Sequence, residues 1–179
     1  GVDGRPRRVM LLADVQTLRG RRERQGRLPI AGAIRLAGEI AGALDYAHRH
    51  GVIHRDVKPE NVLLQDGRAI VADFGIALSA AAAERVTATG MSIGTPQYMS
   101  PEQALGHRDV DARTDVYALG VIVYEMLTGS PPFTGPNAQA IIAKVLTAAP
   151  APPAKLRPEL PARVNQAVLT ALARQPEDR

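Results

Sequence analysis

Four residues that lie close together in the sequence have the types and spacing to manage a phosphate and a metal ion: Asp56, Lys58, Asn61 and Asp73. Two short β-prone runs, Val62-Leu63-Leu64 and Ala69-Ile70-Val71, flank Asp66-Gly67, a strong hairpin-turn dipeptide. A hairpin folded about that turn brings the residues just outside its arms, Asn61 and Asp73, to the same end. An amide oxygen and a carboxylate are hard donors of the kind Mg²⁺ accepts alongside substrate phosphates. Asp56 precedes Asn61 on the loop that enters the hairpin, and Lys58 lies between them. Two acids, an amide and a cation therefore converge on one loop mouth. The plainer alternative is that Asp56 and Asn61 are loop-capping residues, because Asp and Asn favour turns.

The rest of the chain must hold that loop. Ile30 to His50 reads as a helix whose stripe is Ile34, Ala37, Ala41, Leu44 and His48, with Gly51 as its C-terminal stop. Gly32, Gly38 and Gly42 lie inside it, and close packing against another helix is the expected compensation for their poor helix propensity. Ser79 to Gly94 shows no period and reads as a loop. Asp115 to Leu127 is apolar almost all round and predicts a buried central helix, capped by Thr114 or Asp115 and ended by Gly129. Asn137 to Leu146 and Val164 to Arg174 predict two further helices, joined by a Pro-rich connector from Pro150 to Pro161. The expected fold is mainly α with one small β-hairpin.

The same residues spell a familiar pattern. His54-Arg55-Asp56-Val57-Lys58-Pro59-Glu60-Asn61 resembles the catalytic loop of protein kinases, and Asp73-Phe74-Gly75 the metal-binding triplet that follows it. Gly94 to Glu102 resembles the end of the activation segment, with Ser100-Pro101-Glu102 in place of the commoner Ala-Pro-Glu. Asp115 to Gly120 resembles the start of that family's central helix. The closest likeness is to bacterial, Hanks-type Ser/Thr kinases. The resemblance implies that Asp56 orients the substrate hydroxyl and accepts its proton, and that Lys58 neutralises the transferring phosphoryl group. It implies ATP as phosphoryl donor and Mg²⁺ held by Asn61 and Asp73, with Mn²⁺ able to stand in. Val9 to Ala13 resembles the adenine-contacting hinge, giving Met10, Leu11, Leu12 and Ala13 as ATP-binding residues, with Leu63 as the pocket floor. Arg55 beside Asp56 implies an activation loop ordered by phosphate, with Thr87 and Thr89 at the phosphothreonine offset and Thr95 in the substrate loop. Structural roles fall to His54 as a packing residue, to Asp115 bracing the catalytic-loop backbone, and to Glu102 paired with Arg179. Asp115 read without the family is a helix cap, and Thr87 and Thr89 are solvated loop residues.

What the family also uses is missing from this sequence. No Gly-rich loop precedes the hinge and no Lys occurs before Lys58, one of only three in the chain. The expectation is a partial kinase domain over 1–179: the C-terminal lobe, without the N-terminal lobe or the last helix, and inactive alone. The alternative is a non-catalytic kinase-like binding module or a degraded gene product. A Gly-rich loop and strand Lys encoded upstream of Gly1 would discriminate between them.

Partners follow in the same terms: Ser/Thr-bearing protein substrates and the missing lobe or parent chain. The Arg run Arg19, Arg21, Arg22, Arg24 and Arg27 raises nucleic acid, but no aromatics interleave for base stacking, so a solvated helix face is expected and nucleic acid is not. No stretch approaches the ~20 apolar residues of a membrane span, Gly1 to Arg8 has no apolar run behind it, and there is no Cys for disulfides or thiolate metal sites. A cytoplasmic location is expected, with any membrane anchor of a parent lying outside this sequence.

Overall fold

The computed structural model describes residues 15–74, 96–107 and 109–179. The hinge residues Met10 to Ala13, the Ser79–Gly94 loop, and Thr87, Thr89 and Thr95 lie outside the described residues.

The chain enters through β1 (Gln16–Thr17) and α1 (Leu18–Gln25). Thr17 serves both elements. Its backbone pairs with Leu63, and its hydroxyl accepts the Gly20 N–H at 3.1 Å, capping the helix. α2 (Ile30–Arg49) follows, then β2 (Val62–Gln65) and β3 (Arg68–Val71). Asp66 and Gly67 have φ of 50° and 76°, the left-handed pair that a tight hairpin requires. The expected hairpin is there, but it is two strands of a three-stranded antiparallel sheet in the order β1-β2-β3. A strand of two residues is too short to show a period-2 pattern, so β1 has no sequence signal.

α3 (Pro101–Ala104) opens on a capping box: Ser100 Oγ accepts the Gln103 N–H while Gln103 Oε1 accepts the Ser100 N–H. α4 (Arg113–Thr128) is the central helix, ended by Gly129 at φ 89°. α5 (Ala138–Thr147) is capped by Asn137, whose Oδ1 accepts the Ala140 N–H at 2.9 Å. The Pro-rich connector contains a short helix, α6 (Pro153–Leu156), and α7 is Ala162–Ala171.

α4 lies in the core with α2 on one side and α7 on another. Val121, Ile122, Met126 and Leu127 share one buried cluster with Leu36, Ile40 and Leu44 of α2 and with Val168 and Leu172. Val62 and Leu64 of β2 reach the same core. Among the described residues no helix is long and apolar enough to cross a membrane.

Three expectations need correction. The buried stripe of α2 is Ala33, Leu36, Ile40, Leu44 and Ala47, so the expected stripe is out of phase and Ile34 is 44% exposed. Alanine on both faces blurs the pattern, leaving several registers with similar apparent periodicity. Gly32, Gly38 and Gly42 pack against nothing, since a Cβ at any of them would meet no atom within 4 Å. Neither Thr114 nor Asp115 caps α4: the cap position is Ala112, and both side chains turn inward to other elements.

The glycine that does permit close packing is Gly120, where a Cβ would lie 2.9 Å from Ala171 Cβ. Opposite responses to one chemical change are therefore expected. Gly38→Ala gains about 0.5–1 kcal/mol from helix propensity, whereas Gly120→Ala forces α4 and α7 apart and loses about 1–3 kcal/mol. Urea unfolding of the two variants beside the wild type measures both. Equal shifts would contradict this account of the packing.

Candidate active site

The loop from His54 to Asn61 is fixed first by a carboxylate that comes from elsewhere in the chain. Asp115, 1% exposed in the first turn of α4, accepts the His54 N–H at Oδ2 and the Arg55 N–H at Oδ1, both at 2.8 Å. His48 Nε2, from the end of α2, lies 2.7 Å from the same Oδ2. Arg55 has φ 66°, a left-handed conformation that is costly for a residue with a side chain. The Asp115 contacts and the Gln103 Nε2–H donated to Arg55 O at 2.8 Å hold it there.

His54 then joins loop to hairpin. Its ring is buried, Nε2 donates to Ala72 O at 2.9 Å, Nδ1 accepts the Asp56 N–H at 3.3 Å, and Phe74 packs on it with ring centroids 4.7 Å apart. These bonds assign the ring tautomer. Beyond them, Asn61 Nδ2 donates to Asp56 O at 2.8 Å and to Asp56 Oδ2 at 3.3 Å, and Lys58 Nζ lies 2.6 Å from Asp56 Oδ2. The Ala72 N–H donates to Asn61 O at 2.8 Å, bringing Asp73 beside Asn61 at the open end of the hairpin. Asp73 also has positive φ, 61°, and is exposed. Asp56, Lys58, Asn61 and Asp73 thus come together at one mouth. Leu63 is half-buried on the face of β2 opposite Val62 and Leu64.

Glu102 and Arg179 form a two-pronged pair, Nη1 to Oε1 at 2.6 Å and Nη2 to Oε2 at 2.8 Å. The Arg179 side chain is fully buried. It also donates to Ala173 O, Arg113 O and Arg174 O, and lies over the Tyr117 ring at 5.0 Å. Burial pushes the Glu102 carboxyl up, but the Arg179 guanidinium outweighs it and holds the group below its ordinary value.

A second charged cluster adjoins the mouth and has no counterpart in the sequence reading. The Tyr98 hydroxyl donates to Glu125 Oε2 at 2.6 Å. Arg22 Nε sits 3.1 Å from Glu125 Oε1, within ion-pair range though off the line of a hydrogen bond. Arg19 pairs with Glu60, between Lys58 and Asn61. Burial raises the Glu125 carboxyl above its ordinary range, against the Tyr98 hydroxyl and Arg22. Glu125 falls among apolar residues of α4, and a lone Glu in an otherwise buried helix is the one signal that pointed to a partner.

The pattern of a protein kinase domain matches residues 7–179, nearly the whole chain. The chain belongs to the protein kinase domain family. It is 42% identical over 172 residues to the serine/threonine-protein kinase PknB of Mycobacterium leprae, covering 96% of this chain and 28% of that protein. Against PknB of Mycobacterium tuberculosis the identity is 43% over 173 residues, with the same coverage. Against the serine/threonine-protein kinase PknL of Mycobacterium tuberculosis it is 42% over 181 residues, covering all of this chain and 45% of that protein. The chain therefore spans less than half the length of these curated relatives.

The Glu102–Arg179 pair ties the start of α3 to the last residue of this kinase chain. Arg179→Ala leaves a buried carboxylate unpaired and is expected to lower stability by about 3–5 kcal/mol. Because the folded-state pKa of Glu102 is depressed, the pair's contribution is present above the ordinary glutamate range and is lost as pH falls through the folded value. Urea melts at about pH 7 and about pH 3.5 are expected to differ less for Arg179→Ala than for the wild type. An unchanged difference would mean that the pair carries no such linkage.

Proposed function

We propose that this chain is the catalytic-loop-bearing lobe of a Ser/Thr protein kinase, which moves the γ-phosphoryl group of ATP to a Ser or Thr hydroxyl of a protein. The observation that carries the reading is the cluster at the hairpin mouth: Asp56 Oδ2 within 2.6 Å of Lys58 Nζ and hydrogen-bonded by Asn61, with Asp73 alongside. The Ser/Thr-specific names of the relatives support it.

Asp56 stands where an incoming hydroxyl needs an acceptor for its hydrogen bond and, as the new O–P bond forms and the bond to ADP breaks, for its proton. Lys58, now on Asp56, has the reach to place its charge on the transferring group. The Asn61 amide is fixed by two acceptors on its nitrogen, so its oxygen, without a partner among the described residues, is the donor atom toward a cation. Asn61 and Asp73 offer two oxygens and leave the remaining positions to phosphate and water. Among the described residues no cluster of three or more His, Cys, Asp or Glu would hold a metal by protein ligands alone. That donor set fits Mg²⁺, and Mn²⁺ as a substitute, better than a metal caged wholly by protein. When bound, the ion neutralises charge on the phosphates.

Leu63, on the outer face of β2, is proposed as the floor under adenine, with Met10, Leu11, Leu12 and Ala13 at the hinge. Arg55 Nε is buried with no hydrogen-bond partner among the described residues. That supports an anionic partner for it, with Thr87 or Thr89 as phosphate acceptors and Thr95 in the substrate loop.

In a full kinase carrying this chain, Asp56→Asn is expected to leave ATP binding nearly intact and to lower turnover by orders of magnitude. Asp73→Asn is expected to weaken Mg²⁺-dependent nucleotide binding as well. Isothermal titration and phosphate transfer from γ-labelled ATP separate the two effects, and mass spectrometry of the same proteins reads Thr87 and Thr89. Near wild-type activity in both variants would overturn the site, and unmodified threonines in an active preparation would overturn the phosphate partner.

These 179 residues hold no Gly-rich loop ahead of the hinge and no Lys before Lys58, so alone they are expected to transfer no label above background to a basic protein. Robust transfer abolished by Asp56→Asn would refute this.

A further inference from the structure

We propose that the arginine face of α1 docks an acidic stretch of the protein substrate, a substrate class that rests on the kinase reading above. α1 carries Arg19, Arg21, Arg22 and Arg24, with Arg27 just beyond its stop at Gly26, and its only acid is Glu23. The helix lies at the lip of the hairpin mouth, because Arg19 is paired with Glu60, the residue before Asn61.

The cluster is divided by charge. Arg19 and Arg22 are spent on Glu60, Glu23 and Glu125, so the acids at this lip are neutralised from within. Among the described residues Arg21 and Arg24 meet only neutral oxygens. Arg21 Nε donates to Gln25 Oε1 at 3.2 Å, and Arg24 to Gln16 Oε1. Arg27 is exposed and makes no ion pair among the described residues; Glu159, which feels its charge, is already paired with Arg157 at 2.9 Å. Among the described residues, three guanidinium groups are left with positive charge that no carboxylate contact cancels.

Reach makes the face useful. An eight-residue helix is about 12 Å long, and an extended peptide covers that distance in about four residues. Arg21 and Arg24 share the side of α1 turned from Arg19 and its pair with Glu60, so a peptide that leaves Asp56 meets them as it crosses over the helix. Guanidinium forks match carboxylates two-pronged. The described face offers no aromatic side chain on which a base could stack, which favours a protein over a nucleic acid as the anion.

The test reads binding, with no phosphate transfer required. Fluorescein-labelled peptides with one central Thr, flanked by Glu, Gln or Lys, are titrated into the 179-residue chain by fluorescence anisotropy at low and at physiological salt. The Glu peptide is expected to bind about tenfold more tightly than the Gln peptide, an advantage that shrinks as salt rises. Arg21→Gln, Arg24→Gln and Arg27→Gln together are expected to erase the advantage while the circular dichroism melt is unchanged. Should the triple variant lose its fold, Arg24→Gln alone, at an exposed position, is expected to give a partial loss.

Equal binding of the Glu and Gln peptides overturns the proposal, as does a preference that survives neutralisation. A single-stranded oligonucleotide of matched charge that binds more tightly and displaces the Glu peptide overturns it in favour of nucleic acid. Because no ATP is present, a failure of the kinase reading shows separately, as selective binding without transfer by the full kinase.

Discussion

One buried carboxylate holds the loop to the helical core. Asp115 is out of water and takes donors from three places: the backbone of His54, the backbone of Arg55 and the ring of His48. An ion in that position is tolerated only when its oxygens are saturated by donors. Loop, α2 and α4 are therefore interdependent. The loop backbone satisfies the carboxylate, and the carboxylate gives direction to a loop that has no regular hydrogen-bond ladder of its own.

From that anchor the loop carries strain outward in a controlled way. Arg55 and Asp73 both sit in the left-handed region, at the two edges of the mouth. Each such residue costs about 1–3 kcal/mol and survives only where its surroundings over-determine it. Around Arg55 the determinants are visible as Asp115 and Gln103. Next to Asp73 they are the Ala72 contacts with Asn61 and His54, which fix the chain one residue before the turn. The acids of the mouth are thus aimed by backbone shape, with the hairpin as the rigid support.

Much of this was legible in the sequence, and what was not has physical reasons. Asp66-Gly67 announces its turn because few dipeptides accept two positive φ angles in a row. The apolar run from Val116 to Leu127 announces burial whatever the phase. α2 does not announce its face, because alanines on both sides make neighbouring registers look alike. Asp115 looks like a helix cap from its position alone; only the family resemblance gave it the loop-bracing place that its oxygens take, 60 residues away in sequence. No local pattern encodes such a pairing. The cluster of Arg22, Tyr98 and Glu125 is equally long-range, and its arginine was indistinguishable from its neighbours in an Arg-rich run. Gly120 carries no packing signal in the sequence, yet it alone among the glycines in α2 and α4 meets a neighbouring helix so closely.

The placement of Arg179 bears on how the chain is made. Glu102 and its partner are 77 residues apart. At about 5–20 residues per second, a ribosome needs about 4 to 15 seconds to travel from one to the other. Throughout that interval α3 exists without the cation that neutralises it, and closing so long a loop is opposed by chain entropy until the partner arrives. α3 therefore acquires its final pairing well after the loop bearing Asp56 has been translated.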